Sequence, residues 1–265
     1  MSNTATVLAF DFGASSGRAI RAVYDGQNLT YEEIHRFENV PIEKDGHLCW
    51  DVETLLKEIH TAIQKAGTFD SLGFDTWGVD FGLLDADGHL LANPVHYRDA
   101  RTNGKPEQAA ARMPAEELYA HTGNQIMAIN TLFQLLALQE QEPELLQKAA
   151  QILFMPDLFA ALLGAEPVCE RSIASTSQML DPRTGQWSRE VLATYVLPEN
   201  RFAPIVASGT VTGTLTTGAK IIAVAGHDTQ CASVAMPCAE EDAEHTAFLS
   251  CGTWSLLGTE LDAPI

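Results

Sequence analysis

The run Asp11-Phe12-Gly13-Ala14-Ser15-Ser16-Gly17, followed by Arg18, lies between two apolar stretches, Val7-Leu8-Ala9-Phe10 and Arg18-Ala19-Ile20-Arg21-Ala22-Val23-Tyr24. Both stretches have strand character, and the small Gly-bounded segment between them is a turn, so the chain opens with a β-hairpin. Its first strand runs straight into a carboxylate, which is costly beside a sheet core unless something pairs with it. Glycine backbone, two hydroxyls, nearby amides and an arginine suit phosphate oxygens, and Asp11 suits a divalent cation held through water. The same residues also make an ordinary hairpin turn, for which Gly and Ser are common choices.

Any phosphate bound here has to be met locally. The chain has 265 residues with 16 basic and 35 acidic side chains, a formal net charge of −19. That field repels nucleic acid and anionic membranes, so neither is an expected partner. No apolar run approaches the length of a membrane span, and the Met1-Ser2-Asn3-Thr4 start lacks the basic and apolar regions of a signal peptide. Cys49, Cys169, Cys231, Cys238 and Cys251 are scattered, odd in number and without a Cys-x-x-Cys pair. Free thiols in a reducing cytoplasm are therefore expected, with packing rather than metal binding for Cys231 and Cys238.

Beyond the hairpin, residues 29–37 form a third expected strand and Asp45-Gly46 a turn. Val52, Leu55, Leu56, Ile59, Ala62 and Ile63 recur at helical spacing, with Asp51 as N-cap and Gly67 as stop. Strands follow at 71–76 and 79–84. This order is an α/β pattern with a mixed sheet. Helices are expected at 106–112, 115–121, 130–141, 143–150 and 156–163, with a short strand at 152–154. The reading is weakest over 166–204, where a turn at 181–185 and a helix at 188–195 are the clearest signals. A strand at 209–215 and a buried strand at 220–225 lead to Gly226-His227-Asp228-Thr229 and a helix at 230–236; an acidic linker (239–245) precedes a further strand–turn–strand unit.

Two of these places carry chemistry. Asp228 stands where a buried strand gives way to a helix, and backbone amides and the helix dipole favour its ionised form. A plain Asp N-cap is the alternative. The second place is Phe248-Leu249-Ser250-Cys251-Gly252-Thr253-Trp254-Ser255-Leu256-Leu257, which repeats the opening logic of apolar strand, Ser/Gly/Thr turn and apolar strand. Two such hairpins, one at each end of an α/β unit, point to a duplicated fold that clamps one nucleotide between two lobes. No Gly-x-Gly-x-x-Gly follows a strand, and neither a P-loop nor a zinc-type cluster occurs.

Asp11-Phe12-Gly13-Ala14-Ser15-Ser16-Gly17-Arg18, Asp75-Thr76-Trp77-Gly78-Val79-Asp80-Phe81, Tyr97-Arg98-Asp99-Ala100-Arg101-Thr102, His227-Asp228-Thr229 and Ser250-Cys251-Gly252-Thr253-Trp254-Ser255 together resemble the FGGY carbohydrate kinases. The resemblance runs from about Val7 to the last residue. It implies a ribonuclease H-like lobe of the actin–hexokinase type, α/β with a mixed sheet flanked by helices, plus the first hairpin of a second such lobe. Residues 1–238 would be the first lobe and 239–265 the linker and the opening of the second. Implied too are ATP and Mg²⁺, and transfer of the γ-phosphoryl group to a ketose. The segments 76–81 and 97–99 point to the branch acting on the 1-hydroxyl of L-rhamnulose. Another ketose such as L-fuculose or a pentulose is the alternative, as is a sugar-binding lobe without turnover.

Carried over by position, Asp228 would accept the sugar hydroxyl proton and Asp11 would position the metal. Ala14, Ser15, Ser16, Gly17 and Arg18 would hold the phosphates, with Thr253 contacting them from the second lobe. Gly78, His227, Asp228 and Thr229 would line the sugar site, joined by Trp77, Asp80 and Arg98. Trp77 equally fits a buried packing role, and Asp80 with Arg98 a structural ion pair. Members of this family are longer than this chain, so the adenosine site is expected to be absent and the chain inactive alone.

Overall fold

The computed structural model describes residues 4–239, 242, 245–251 and 255–261. Its centre is a six-stranded mixed sheet. The hairpin opens it as β1 (Ala5–Phe12) and β2 (Ser16–Tyr24), and β3 (Leu29–Glu38) extends it on the β2 side. Helix α1 (Val52–Ala66) then returns the chain to β4 (Ser71–Thr76), which pairs parallel to β1. Far later in sequence, β7 (Thr210–Thr214) and β8 (Lys220–Ala223) complete the sheet; β8 lies parallel to β4 and antiparallel to β7.

Alternation fixes which face of this sheet is the core. Leu8, Phe10 and Phe12 of β1 have no exposed surface, whereas the intervening Ala9 faces out. Phe12 stacks on Phe159 of α3 (Met155–Leu162) with ring centroids 4.9 Å apart, and Phe10 stacks on Phe74 of β4 at 4.8 Å. Val52, Leu55, Ile59, Ala62 and Ala66 give α1 one buried stripe in the same core. Its ends are set as expected: Asp51 accepts the Thr54 amide, and Gly67 takes φ 65°.

The expected strand at 79–84 is shorter and lies elsewhere. β5 (Phe81–Leu84) pairs with β6 (Gln151–Phe154) in a separate two-stranded ribbon, beside a second core built on α2 (Thr131–Gln141). Val79 is the reason for the break: its φ of 67° is a left-handed conformation that a β-branched residue avoids. Among the described residues, the last hairpin is β9 (Ala247–Cys251) paired with β10 (Ser255–Thr259).

Candidate active site

β1, β4 and β8 run parallel, so their C-terminal ends open on the same edge, the usual place for a ligand in an open α/β sheet. Asp11 near the end of β1 is the register partner of Asp75 on β4 and of Arg18 on β2. All three side chains therefore share one face. Arg18 Nε and Nη2 donate to the same Asp11 oxygen at 2.8 and 2.5 Å. The residue expected at the metal and the one expected at the phosphates are thus paired with each other.

The turn between β1 and β2 is braced through its carbonyls. The Gly13 amide donates to the Ser16 carbonyl at 2.9 Å, and Asn39 clamps the other two. The Asn39 amide donates to the Ser15 carbonyl at 3.0 Å, and its Nδ2 to the Gly13 carbonyl at 2.9 Å. Among the described residues, the amides of Ala14 and Ser15 have no backbone acceptor. Thr253, the expected phosphate contact from the second lobe, lies outside the described residues.

Gly226-His227-Asp228-Thr229 reaches this edge because the Thr76 amide donates to the Gly226 carbonyl at 2.9 Å and Thr76 bridges His227. Helix α5 runs over Asp228–Val234 with His227 in the cap position, so Asp228 is its first residue rather than its cap. Asp228 Oδ1 accepts from the Thr229 amide at 2.6 Å and its hydroxyl at 3.2 Å, and lies 3.5 Å from His227 Nε2. With 41% of its side chain exposed, the carboxylate still has room for a ligand. Burial holds the His227 pKa below its ordinary value, against the nearby charges of Asp228 and Glu170, so the imidazole facing Asp228 is neutral at pH 7.

Asp75 was not singled out by the sequence. Burial, then the charges of Asp11 and Asp228, push its pKa up to about 8, against a hydrogen bond from Cys231. At pH 7 Asp75 therefore holds its proton. The half-buried Cys231 thiol beside it is pushed up to about 12, first by its partial burial. A carboxylate ending a buried strand next to the one that carries Asp11 is the signal that would have exposed it.

Among the residues expected to line the sugar, a Cβ on Gly78 would come within 3.0 Å of Thr176 Cγ2 and 3.3 Å of His227 Cδ2, so these three residues meet. Thr176 is a further residue that sequence reasoning missed. Its hydroxyl accepts the Val79 amide at 3.0 Å, while Thr131 Oγ1 donates to the Val79 carbonyl at 2.6 Å. The strained Val79 is thus held from both sides, the arrangement expected where backbone strain persists.

Asp80 has no exposed surface. It accepts from Trp50 Nε1 at 2.6 Å, Trp77 Nε1 at 3.0 Å, the Tyr97 amide at 3.1 Å and Gln134 Nε2 at 2.8 Å. All four donors are neutral. Burial raises its pKa to about 6 despite those bonds. The Arg98 guanidinium instead lies 5.4 Å over the Tyr97 ring, so Asp80 and Arg98 do not form the ion pair considered as an alternative. Trp77 is buried against Trp50, ring centroids 3.9 Å apart, as in its packing reading. Both residues stand behind the site and shape the 77–80 loop.

A mixed sheet whose parallel strands end at an acidic corner, a phosphate-type hairpin turn and an acid at a strand-to-helix junction define a ribonuclease H-like lobe of the actin–hexokinase type. The FGGY family of carbohydrate kinases, N-terminal domain, matches residues 6–235, and the chain belongs to that family. It is 41% identical to a rhamnulokinase of Bacteroides thetaiotaomicron over 97% of its own length and 55% of that protein. With a rhamnulokinase of Lactiplantibacillus plantarum it shares 39% identity over 97% of its length and 54% of that protein. The chain therefore spans about half the length of these curated relatives. In structure it is similar to a carbohydrate kinase from Novosphingobium aromaticivorans, with a TM-score of 0.81 at 21% identity, covering 100% of this chain and 58% of that one.

Proposed function

We propose that the protein carrying this chain transfers the γ-phosphoryl group of ATP to the 1-hydroxyl of L-rhamnulose. Residues 1–238 supply the first lobe and the sugar site, and 239–265 the linker and the opening of the second lobe. The observation that carries the reading is Asp228, a half-exposed carboxylate 3.5 Å from His227, whose ring in turn meets Gly78, at the ends of parallel strands. The names of the relatives at 41% and 39% identity support the choice of sugar.

In this reading Gly78, His227 and Thr229 line the ketose, and Asp228 Oδ accepts the 1-hydroxyl proton as that oxygen attacks the γ-phosphorus. A carboxylate is basic enough, because a loose phosphoryl-transfer state needs an oriented nucleophile more than a strong base. His227, its pKa held low by burial, places no positive charge beside the carboxyl. Ala14, Ser15, Ser16 and Gly17 offer amides and hydroxyls to phosphate oxygens, and Arg18 adds a cation. Trp77, Asp80 and Arg98 bear on the sugar by setting the loops around it. Asp11 would hold Mg²⁺; the residues fit in chemistry, since Asp11, Asp75 and Asp228 bring three carboxyl groups to one corner, where burial first and then the charges of Asp11 and Asp228 raise the Asp75 pKa. When bound, Mg²⁺ supplies charge neutralisation for the transferring phosphoryl oxygens.

No helix among the described residues is long and apolar enough to cross a membrane. We place the activity in the cytoplasm, in keeping with five free cysteines. The test is a coupled assay with ATP, Mg²⁺ and L-rhamnulose, using the longest reading frame that carries this chain. Formation of a 1-phosphate ester, seen by ³¹P NMR, is expected. Turnover on other ketoses with none on L-rhamnulose would overturn the substrate, and no turnover on any ketose or polyol the reaction.

A further inference from the structure

We propose that Glu170 is the positioning residue that fixes the Gly226–His227 turn, and with it the Asp228 carboxylate, for proton transfer. The inference rests on the kinase reading above. Glu170 lies in the stretch where the sequence was least informative, just before the short helix α4 (Arg171–Ser175), and it is 1% exposed. A buried carboxylate is unfavourable unless hydrogen bonds stabilise its charge. Its oxygens take five donors. On Oε2 these are the Ser172 amide at 2.9 Å, Ser172 Oγ at 2.6 Å, the Ile173 amide at 3.2 Å and the Gly226 amide at 3.0 Å. On Oε1 it is Ser208 Oγ at 2.6 Å.

Capping α4 accounts for only part of this set, and a shorter Ser or Asp side chain caps a helix as well. The additional reach of Glu goes to Gly226, two residues before Asp228. A second tie runs through Ser172: the same hydroxyl that donates to Glu170 accepts the His227 amide at 3.3 Å. Gly226 is what lets the chain come so close. A Cβ there would stand 2.9 Å from Pro156 Cγ and 3.5 Å from Glu170 Oε2. Behind the carboxylate, Asp157 accepts the Glu170 amide at 3.3 and 3.2 Å, and burial pushes the Asp157 pKa well above the usual range. Glu170 therefore gathers α4, the Ser208 loop and the Gly226 amide directly, and the His227 amide through Ser172. A shift of about 1 Å at a reacting group can cost about 10²-fold in rate.

Glu170→Ala, Glu170→Gln, Ser172→Ala and Ser208→Ala test this in the longest reading frame that carries the chain. Glu170→Ala is expected to lower kcat by about 10²-fold while the L-rhamnulose Kd stays within about threefold. Glu170→Gln keeps an oxygen toward the three amides and a donor toward Ser208, and should recover most of kcat. Ser172→Ala, which cuts the tie to His227, should lower kcat by about tenfold; Ser208→Ala, which touches neither junction amide, should leave it near the parent. Amide hydrogen exchange at Gly226 and His227 should accelerate in Glu170→Ala and not in Glu170→Gln. Parent-like kcat in Glu170→Ala, or unchanged exchange at those amides, would overturn the proposal. If Glu170→Ala does not fold, unchanged kcat in Ser172→Ala overturns it instead. An unsubstituted protein that phosphorylates nothing defeats the kinase reading, and the exchange result still decides whether Glu170 fixes the turn.

Discussion

Asp75 is the residue whose ionisation the fold shifts most plainly toward function. Its folded pKa of about 8 stands above the unfolded value of 3.8, so its contribution to stability is complete below that value and is lost as pH rises to about 8. Asp75→Asn stays neutral throughout. Its Tm in metal-free buffer should therefore gain on the parent between pH 4 and pH 8, by about 3 °C or more at the upper end. A difference that does not vary with pH would show that Asp75 is ionised in the folded chain. Asp80 makes the opposite case, a buried acid held by four donors. Asp80→Ala leaves those donors unpaired in the core and should cost about 3–5 kcal/mol in denaturant unfolding. A loss below about 1 kcal/mol would mean that the four bonds add little. Asp11, Arg18 and Asp228 were legible from residue type and neighbours. Asp75, Thr176, Asn39 and Glu170 were not, because their partners lie far along the chain: Asp75 meets Asp11 across a parallel pairing, and Glu170 meets Gly226.

Among the elements, those fixed by local signals matched the sequence best. In α1 the apolar spacing, the Asp51 cap and the Gly67 stop all agree with the structure. Asp51 accepts from the Thr54 amide at 3.1 Å and its hydroxyl at 2.7 Å. Asp51→Ala should therefore cost about 1 kcal/mol by urea titration, and no measurable change would remove the cap from the account. β5 is the instructive departure. Apolar residues run on from Val79, but tertiary contacts from Thr131 and Thr176 hold Val79 in a left-handed conformation, and the strand begins only at Phe81. Periodicity reports burial, not which sheet a strand joins, so its pairing with β6 was not legible. Nor was α4: at five residues it is too short for a periodic stripe, and its cap is a glutamate rather than the usual Ser, Thr, Asp or Asn.

For the whole molecule, a net charge of −19 and an acidic corner at Asp11, Asp75 and Asp228 mean that phosphate, in the proposed reaction, has to be held by local groups rather than by the bulk field. The close approach of Gly78 to Thr176 and His227 sets one wall of the proposed sugar site. The protein should accordingly prefer L-rhamnulose over D-xylulose and glycerol in kcat/KM, since polar groups left unpaired by the wrong substrate discriminate strongly; equal efficiency on glycerol would contradict this. The chain spans about half of its curated relatives, so these measurements belong to the longest reading frame that carries it. The claim on which the rest depends is that Asp228 serves as the base at the strand-to-helix junction. Asp228→Asn tests it most directly, with kcat and calorimetric Kd for L-rhamnulose measured on the same preparation. The account predicts kcat lower by about 10²–10⁴-fold with sugar binding retained; a variant that keeps most of its kcat would contradict it.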